Sequence, residues 1–293
     1  MRIPVRLGRQ DRRIPGWAAM LSASLAQDRP SVVTRDDIKR YLSNAGSDRD
    51  IDITVEELVR LGWLVSSHHH GAWAYLPPGE GELVDPYIAL RGWKAREPEA
   101  VFALAGESAA WHLAYLDRRF DGPIAVWLPN RLRPPYGLRQ FITEVRLGWG
   151  EEVASLIGPT PALLRQRRLD LTTWASGLPA FGPEALVVQL AARPSSFGPW
   201  GDLVSHLNQL ASDCKPEIVI ELLKEQSKSA WQRAAYLLFR GNSVQHSREI
   251  MKHRPDGPMP HVIFGDRYAG EFSSEFRVTD RLIAPLQDQI GKA

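Results

Sequence analysis

The chain has 293 residues, of which 44% are hydrophobic and 24% are charged, and its formal net charge is +2. This composition is typical of a folded globular protein and excludes an intrinsically disordered one, and the small net charge gives no global field that would indicate nucleic acid. Cys214 is the single cysteine, so an internal disulfide is excluded and a reducing interior is favoured. No run approaches the roughly 18 apolar residues of a membrane span, and the N-terminus lacks the apolar core of a signal peptide. We therefore expect a cytoplasmic protein with no membrane partner.

The charges are unevenly distributed along the chain, and the N-terminal arm is basic. Residues 1–13 contain five arginines, including Arg12 and Arg13, against a single aspartate. A second basic run, RQRR, occupies residues 165–168. Both runs are weak electrostatic indications of an anionic partner, and the second is equally typical of a solvated surface.

Apolar spacing predicts three helices in the first eighty residues. IPGWAAMLSASLAQ places four apolar side chains on one helical stripe: Trp17, Met20, Leu21 and Leu25. PSVV then predicts a short strand, and TRDDIKRYLSNAG predicts a helix with Thr34 as its N-cap. A third helix within DIDITVEELVRLG is expected to end at Gly62 and to bury Val55, Leu58 and Val59.

A hairpin follows the third helix. WLVSS and AWAYLP predict two strands, and HHHG predicts the turn that joins them. The order helix, strand, helix, helix, hairpin is typical of a winged helix-turn-helix, in which the third helix enters the major groove and the hairpin contacts the flanking backbone. The sequence therefore predicts an N-terminal winged helix-turn-helix domain, with its basic arm, over residues 1–80.

The three histidines of that turn, His68, His69 and His70, raise the question of a metal site. A zinc site needs three or four ligands that converge on one point. Consecutive residues of an extended segment point to opposite faces, and no cysteine pair or second histidine spacing supplies the missing ligands. The sequence favours a solvated turn that contacts phosphate or a groove, and it indicates no metal and no cofactor.

The predicted DNA face carries both favourable and unfavourable charges. Glu56 and Glu57 lie on the third helix, and three aspartates precede or begin it. Side chains suited to phosphate or base contact are nevertheless present on the helices, the arm and the hairpin. The candidates are Arg12, Arg13, Arg35, Lys39, Arg40, Arg49, Thr54, Arg60, His68, His69 and His70.

The remaining chain predicts a larger second domain over residues 81–293. PPGEGELVDP, residues 77–86, has the composition of a linker and marks the boundary. GPIAVWLPN and FITEVRLGW predict strands, and from about residue 171 the spacing becomes helical. The fold class predicted for the whole chain is α+β: a winged helix-turn-helix followed by a mixed α/β domain with a helical distal part.

No clear catalytic motif is present. GES at residues 106–108 lacks the final glycine of a nucleophile elbow, so Ser108 is better explained as a helix cap. Cys214 lies beside Lys215 at a predicted helix start, which would lower its pKa, but an unreactive cysteine is the simpler interpretation. The sequence therefore favours a binding protein over an enzyme.

The whole pattern resembles the AbiEi-type antitoxins of abortive-infection toxin–antitoxin pairs. The resemblance covers most of the chain and is carried by degenerate motifs. They are LVRLGWLVSSHHHGAWAYLP in the winged helix, GESAAWHLAYL with GPIAVWLPN, and then PEALVVQLAARPSSFG and SKSAWQRAAYLLFRGN.

This resemblance implies a non-enzymatic antitoxin and transcriptional autorepressor. The winged helix would bind operator DNA, with an inverted repeat expected, and the second domain would counter a nucleotidyltransferase-like toxin. In that domain the resemblance suggests a functional basic face of four arginines: Arg118, Arg119, Arg131 and Arg133. The third helix here is more acidic than is typical of the family.

Two alternatives from other classes stay open at this point. The winged helix could be a protein-contact module with no affinity for an operator. The chain could also be a serine hydrolase that uses Ser108.

Overall fold

The structure is a computed structural model that describes residues 14–77, 83–119, 121–169, 177–265 and 270–290. It separates into two compact units. The first contains residues 1–100 together with 134–142, and the second contains residues 101–133 together with 143–293. The fold is mixed α+β, as predicted.

The first unit combines four helices with one three-stranded sheet. Its elements, after a 3-10 turn, are α1 (Ala19–Asp28), β1 (Val32–Thr34), α2 (Arg35–Asn44), α3 (Ile51–Arg60), β2 (Leu64–Ser66), β3 (Ala72–Tyr75) and α4 (Ile88–Arg96). The central strand β3 is antiparallel to both β1 and β2. The predicted order helix, strand, helix, helix, hairpin is confirmed, whereas the assignment to the winged helix-turn-helix class stays a prediction.

Local signals explain where these helices begin. Thr34 caps α2 in a capping box, because its side chain accepts the Asp37 amide while the Asp37 carboxylate accepts the Thr34 amide. Asp50 caps α3 by accepting the amides of Asp52 and Ile53. Each cap satisfies amides that the first turn of a helix leaves without a backbone partner.

The core of the first unit follows the predicted apolar stripes, apart from their edges. Leu21, Leu25 and Leu58 are fully buried. Met20 and Val59 were predicted to be buried, but their exposed fractions are 63% and 40%. The buried stripe of each helix is narrow, so residues at its edge face the solvent.

The first unit extends beyond the predicted boundary at residue 80. Helix α4 packs against β1 and β3, and Ile88 joins a buried cluster with Val65, Ala74 and Leu76. This apolar packing holds α4 to the sheet of the first unit, although a linker-like sequence precedes it. Residues 134–142 also belong to this unit and contain a 3-10 turn, Tyr136–Leu138.

The other strands form two further three-stranded sheets. One has the order β4–β5–β6 and the other the order β7–β9–β8. Their bounds are β4 (Ala103–Leu104), β5 (Ile124–Trp127), β6 (Ile142–Val145), β7 (Val262–Phe264), β8 (Glu271–Ser273) and β9 (Val278–Asp280). Strands β5 and β6 lie within GPIAVWLPN and FITEVRLGW, the two segments predicted to be strands.

The second unit is largely helical from residue 183 to residue 253, which confirms the predicted helical distal part. Its helices are α5 (Gly106–His112), α6 (Pro161–Gln166), α7 (Pro183–Ala192), α8 (Trp200–Ser205), α9 (Leu207–Asp213), α10 (Pro216–Leu223), α11 (Lys228–Arg240), α12 (Val244–His253) and α13 (Ile283–Ile290). Helix α7 packs against α5, α10 and α11, and α11 also packs against α12. The segment WGDLVSHLNQLA is divided at His206 into two helices, α8 and α9.

One buried carboxylate of the second unit, that of Asp280, is satisfied by three nearby amides and one distant hydroxyl. The Asp280 carboxylate is fully buried and accepts the amides of Leu282, Ile283 and Ala284 together with the hydroxyl of Tyr236. A buried carboxylate needs such donors to offset its desolvation.

In the part of the chain that the structure describes, every helix is too short or too polar to cross a lipid bilayer.

Candidate nucleic-acid interface

The solvent-facing side of α3 is more acidic than basic. Its exposed residues are Asp52, Ile53, Glu56, Val59 and Arg60. Two carboxylates therefore accompany one guanidinium on the helix that the sequence places in the major groove. Carboxylates repel phosphates, so this face does not by itself attract a DNA backbone.

Arg49, a predicted DNA contact, is used within the fold. Its guanidinium forms an ion pair with Glu57 at 2.8 Å and lies 4.0 Å from the centre of the Trp17 ring. Its side chain is 28% exposed. The ion pair joins the segment before α3 to α3 itself, and the cation–π contact joins it to the 3-10 turn before α1, so Arg49 has a structural role that its residue type does not reveal.

Thr54 is also removed from the predicted DNA face. The side chain is fully buried, and its hydroxyl donates to the Asp50 carbonyl at 2.6 Å. A hydroxyl bonded to the preceding turn and covered by the core cannot reach a base edge. The prediction that Thr54 contacts DNA is therefore wrong.

The predicted cations of α2 differ in their pairing. Arg35 donates to the Asp52 carboxylate at 2.9 Å, and Arg40 donates to the Asp37 carboxylate at 2.8 Å. Both arginines are well exposed, and such surface pairs are weak enough to exchange partners. Lys39 is exposed and has no acidic partner among the described residues.

Arg60, at the end of α3, is exposed and has no acidic partner within the described ranges. Together with Lys39 it is an unpaired cation on the predicted DNA face. Arg12 and Arg13 lie outside the described residues, so their predicted contacts stay predictions.

The hairpin turn carries the three histidines, as predicted, but only His70 is exposed to solvent. The His68 backbone has a φ of 64°, and its ring centroid lies 4.5 Å from that of Phe141. Burial lowers the pKa of His68 below its ordinary value of 6.5. His68 is therefore half-buried and not fully solvated, because a later segment of the chain packs against its ring.

The His69 side chain is 10% exposed, and its Nε2 lies 3.8 Å from a Glu97 carboxylate oxygen. Its Nδ1 faces the His70 carbonyl oxygen at 3.2 Å. No group of three metal-ligating side chains occurs in the part of the chain that the structure describes. The histidines are therefore part of the packing of the turn, apart from His70.

A cleft of about 520 Å³ lies between α3 and the hairpin. Asp52 and Glu56 line it from α3, and the three histidines line it from the turn. Arg35 also lines it. The cleft thus separates an acidic helix face from a hairpin whose imidazoles and backbone are oriented by packing.

Segments far from the hairpin in sequence support its turn. Helix α4 approaches so closely that a Cβ on Gly92 would lie 2.6 Å from the Ser67 Oγ. Arg96 packs over Gly71, where its Nε lies 3.1 Å from the position of an added Cβ. These residues come after the predicted linker, so no local sequence pattern places them at the turn.

The four arginines suggested as a basic face of the second unit are all exposed. Arg118 lies 3.5 Å from the Asp202 carboxylate and is 84% exposed. Burial and the Arg119 charge together lower the pKa of His112 to about 4. In the described structure, no contact joins Arg118 or Arg119 to Arg131 or Arg133, so their action as one face stays a prediction.

One arginine of the RQRR run, Arg167, is partly buried, with a side chain that is 12% exposed. Arg167 donates to the Leu113 carbonyl oxygen, and its Nε lies 3.7 Å from the Asp213 carboxylate. The Tyr115 hydroxyl donates to the same carboxylate at 2.7 Å. Arg165 and Arg168 are exposed, so the interpretation as a solvated run holds for them and not for Arg167.

The surroundings of the two nucleophile candidates, Ser108 and Cys214, are those of residues with a structural role. Ser108 lies inside α5, whose N-cap is Ala105, so the prediction that Ser108 is the cap is wrong. Gly106 takes a φ of 49° there and donates its amide to the Gln189 side chain. Cys214 is buried, and burial raises its thiol pKa, so the neighbouring lysine does not activate it.

Comparison with known proteins shows which of them this chain resembles. A family model described as the AbiEi antitoxin C-terminal domain matches residues 100–239. Among solved structures, the crystal structure of the Rv2827c protein from Mycobacterium tuberculosis is 49% identical and covers 96% of this chain and 97% of its own, with a TM-score of 0.86. No curated protein matches the chain. The likeness to the solved structure spans both compact units.

Proposed function

Because this chain belongs to the AbiEi antitoxin family, we propose that it is the antitoxin of a toxin–antitoxin pair, that it represses its own operon, and that it opposes a nucleotidyltransferase-like toxin. The observation that carries the antitoxin role is the family match over residues 100–239. That range begins before β4 and ends within α11, so it comprises most of the helical core of the second unit. We assign the antitoxin activity to this unit.

The antitoxin half is tested by co-expression with the product of the adjacent gene. Full-length protein should restore growth to cells that express a toxic nucleotidyltransferase-like neighbour. A charge-reversed variant of the predicted basic face, with Arg118, Arg119, Arg131 and Arg133 each changed to Glu, should protect less well if that face acts in neutralisation. Failure of the unaltered protein to protect would contradict the antitoxin role.

We assign operator binding to the first unit. Its order of elements is that of a winged helix, in which a helix and a hairpin approach the same stretch of duplex. Lys39, Arg60 and His70 are exposed there and available to phosphates. A dimeric or paired arrangement on an inverted repeat would place two such units on one operator.

Operator binding is tested by fluorescence anisotropy with a labelled duplex from the region upstream of the protein's own gene. The logarithm of affinity should fall linearly with the logarithm of salt concentration, by about 0.9 for each phosphate contact. A duplex of scrambled sequence should bind more weakly. Absence of binding at low salt would contradict the proposed repressor function, and it would not affect the proposed antitoxin function.

A second candidate for the first unit is a protein-contact module. The exposed face of α3 favours it, because two apolar side chains, Ile53 and Val59, are exposed on the same helix as the carboxylates of Asp52 and Glu56. This candidate predicts a stable complex with the neighbouring gene product that is lost on Ile53→Asp, together with no affinity for the upstream duplex.

We propose that the chain is not an enzyme. Ser108 is the third residue of the short helix α5, and no contact joins it to a histidine in the described residues. Ser108→Ala should leave protection and DNA binding unchanged. Loss of protection by a folded Ser108→Ala variant would revive the hydrolase alternative.

A further inference from the structure

We propose that the turn of the hairpin and two segments packed against it form a phosphate-binding surface for duplex DNA. This hairpin-turn surface consists of His70, Arg96, Tyr136 and Arg139. The proposal rests on the DNA-binding half of the proposed function, and it names three side chains that no motif assigns to DNA.

The first contribution comes from the end of α4. Gly92 allows α4 to approach the turn, because a Cβ there would lie 2.6 Å from the Ser67 Oγ and 3.3 Å from the His69 Cβ. One turn later, the Arg96 side chain packs over Gly71, with its Cζ 3.4 Å from the position of an added Cβ. Arg96 is exposed. Its guanidinium is therefore held at the turn while its donors face the solvent.

The second contribution comes from residues 134–142. Gly137 lies so close to the turn that a Cβ there would be 2.7 Å from the His68 carbonyl oxygen, and Phe141 packs on the His68 ring. Pro134 and Pro135 restrict the backbone that leads into this contact. The segment is therefore fixed to the hairpin at two points, and it carries the residues on either side of Gly137 to the same place.

Tyr136 and Arg139 are presented by this segment. Tyr136 is 88% exposed, which is unusual for an aromatic side chain on a rigid turn. The Arg139 Cζ lies 5.9 Å from the centre of the Tyr136 ring. The phenol hydroxyl and the guanidinium thus belong to two exposed residues, one on a short 3-10 turn and the other at its C-cap.

The charge balance favours an anionic partner at this surface. Arg96 and Arg139 are exposed and have no acidic partner in the described structure. Glu97 is next in the chain, but its carboxylate accepts the Trp93 Nε1–H at 2.9 Å and lies near His69. This contrasts with α2 and α3, where Arg35, Arg40 and Arg49 are all paired with carboxylates.

The chemistry fits phosphate better than a base edge. Guanidinium groups, an imidazole and a phenol hydroxyl are the donors that contact phosphate oxygens in protein–DNA complexes. The surface is carried by a hairpin turn, which in winged helices lies beside the backbone that flanks the groove. We therefore assign it to duplex phosphates and expect it to contribute affinity with little sequence preference.

The test compares matched double variants of the full-length protein by anisotropy with the labelled upstream duplex. Arg96→Ala with Arg139→Ala should weaken binding on the order of 10- to 100-fold at about 0.1 M salt and lower the salt slope by about 1.8. Arg165→Ala with Arg248→Ala makes the same change of charge at two exposed arginines of the second unit and should leave both quantities close to those of the unaltered protein. Tyr136→Phe should cause a smaller loss.

The outcomes separate this inference from the proposed function. If the Arg96 and Arg139 variant binds like the unaltered protein while Lys39→Ala with Arg60→Ala weakens binding, the surface is wrong and operator binding stands. If the double variant loses a complex with an acidic protein partner but keeps its DNA affinity, the surface is a protein site and the inference is wrong. If the unaltered protein binds no duplex, both proposals fall.

Discussion

The first unit carries two surfaces, the α2–α3 face and the hairpin-turn surface. They differ in whether their arginines form ion pairs. On the α2–α3 face, Arg35, Arg40 and Arg49 each meet a carboxylate. On the hairpin-turn surface, Arg96 and Arg139 meet none in the described structure and are held instead by packing against the turn and by a tyrosine ring. The difference shows that the number of basic residues on a helix overestimates the number of unpaired cations available to bind an anionic ligand.

The largest effect is expected from filling the contact that holds the hairpin-turn surface together. Gly137→Ala would place a Cβ 2.7 Å from the His68 carbonyl oxygen, and backbone atoms must move to relieve it. We expect a loss of about 1–3 kcal/mol in the free energy of unfolding, measured by urea denaturation, together with weaker DNA binding. Gly16→Ala is the control, because nothing lies within 4 Å of its added Cβ. Equal stability of the two variants would show that the segment is not fixed to the turn.

A smaller loss is expected from the α2–α3 face. Arg49→Ala removes the contact with Trp17 and the ion pair with Glu57, and should lower the free energy of unfolding by about 1–2 kcal/mol. Its affinity for DNA, measured with folded protein, should change by less than about threefold. Arg60→Ala, at the exposed end of α3, should cost less than about 0.5 kcal/mol. A large loss of affinity with little loss of stability in Arg49→Ala would restore the original DNA-contact prediction.

The acidic character of α3 can be tested without a change in stability. Glu56 is exposed and lines the cleft beside the histidines, so Glu56→Gln removes a charge that repels phosphate. We expect affinity for the upstream duplex to rise by about threefold, with an unchanged salt slope. A fall in affinity that is specific to the upstream sequence would instead show that Glu56 accepts a hydrogen bond from a base.

The smallest expected effect is a loss of stability at acidic pH that arises from His68 in the hairpin turn. Burial lowers the pKa of His68 in the folded state, whereas the unfolded chain takes the ordinary value of 6.5. The unfolded state therefore binds the proton more readily, and stability is lost as the pH falls through 6.5 towards the folded-state pKa. His68→Asn keeps a residue that tolerates the positive φ and removes the titration. Thermal unfolding from pH 7.5 to pH 5.0 (roughly one unit on each side of the histidine pKa) should show a shallower decline for His68→Asn, and equal slopes would contradict the assignment.

Much of the fold could be predicted because its signals are local. The caps at Thr34 and Asp50 act within the first turn of each helix, and the hairpin follows from two β-branched and aromatic runs around a short turn. Pro183 and Pro216 lie in the first turns of α7 and α10, where proline is a local signal of a helix start. Helix α12 was missed, because its apolar positions are few and its burial depends on packing against α10 and α11.

The candidate site was less predictable, since residue type does not reveal a partner. Thr54 has the chemistry of a phosphate or base contact, yet it is buried against Asp50. Arg167 looks like one of a solvated run, yet it is held beside Asp213 and Tyr115. Whether a polar side chain faces solvent depends on the rotation of its helix and on which distant element covers it.

The sequence by itself determined the order of helices and strands over residues 14–77, the hairpin with its histidine turn, and the resemblance to an antitoxin family. Those properties depend on apolar periodicity and on hydrogen bonds between residues a few positions apart. Only the tertiary structure decided which cations are paired, and only it brought Arg96, Tyr136 and Arg139 to the turn at residues 67–71. Ion pairing and close backbone approach are set by distances between segments that are remote in the chain, and no local pattern encodes those distances.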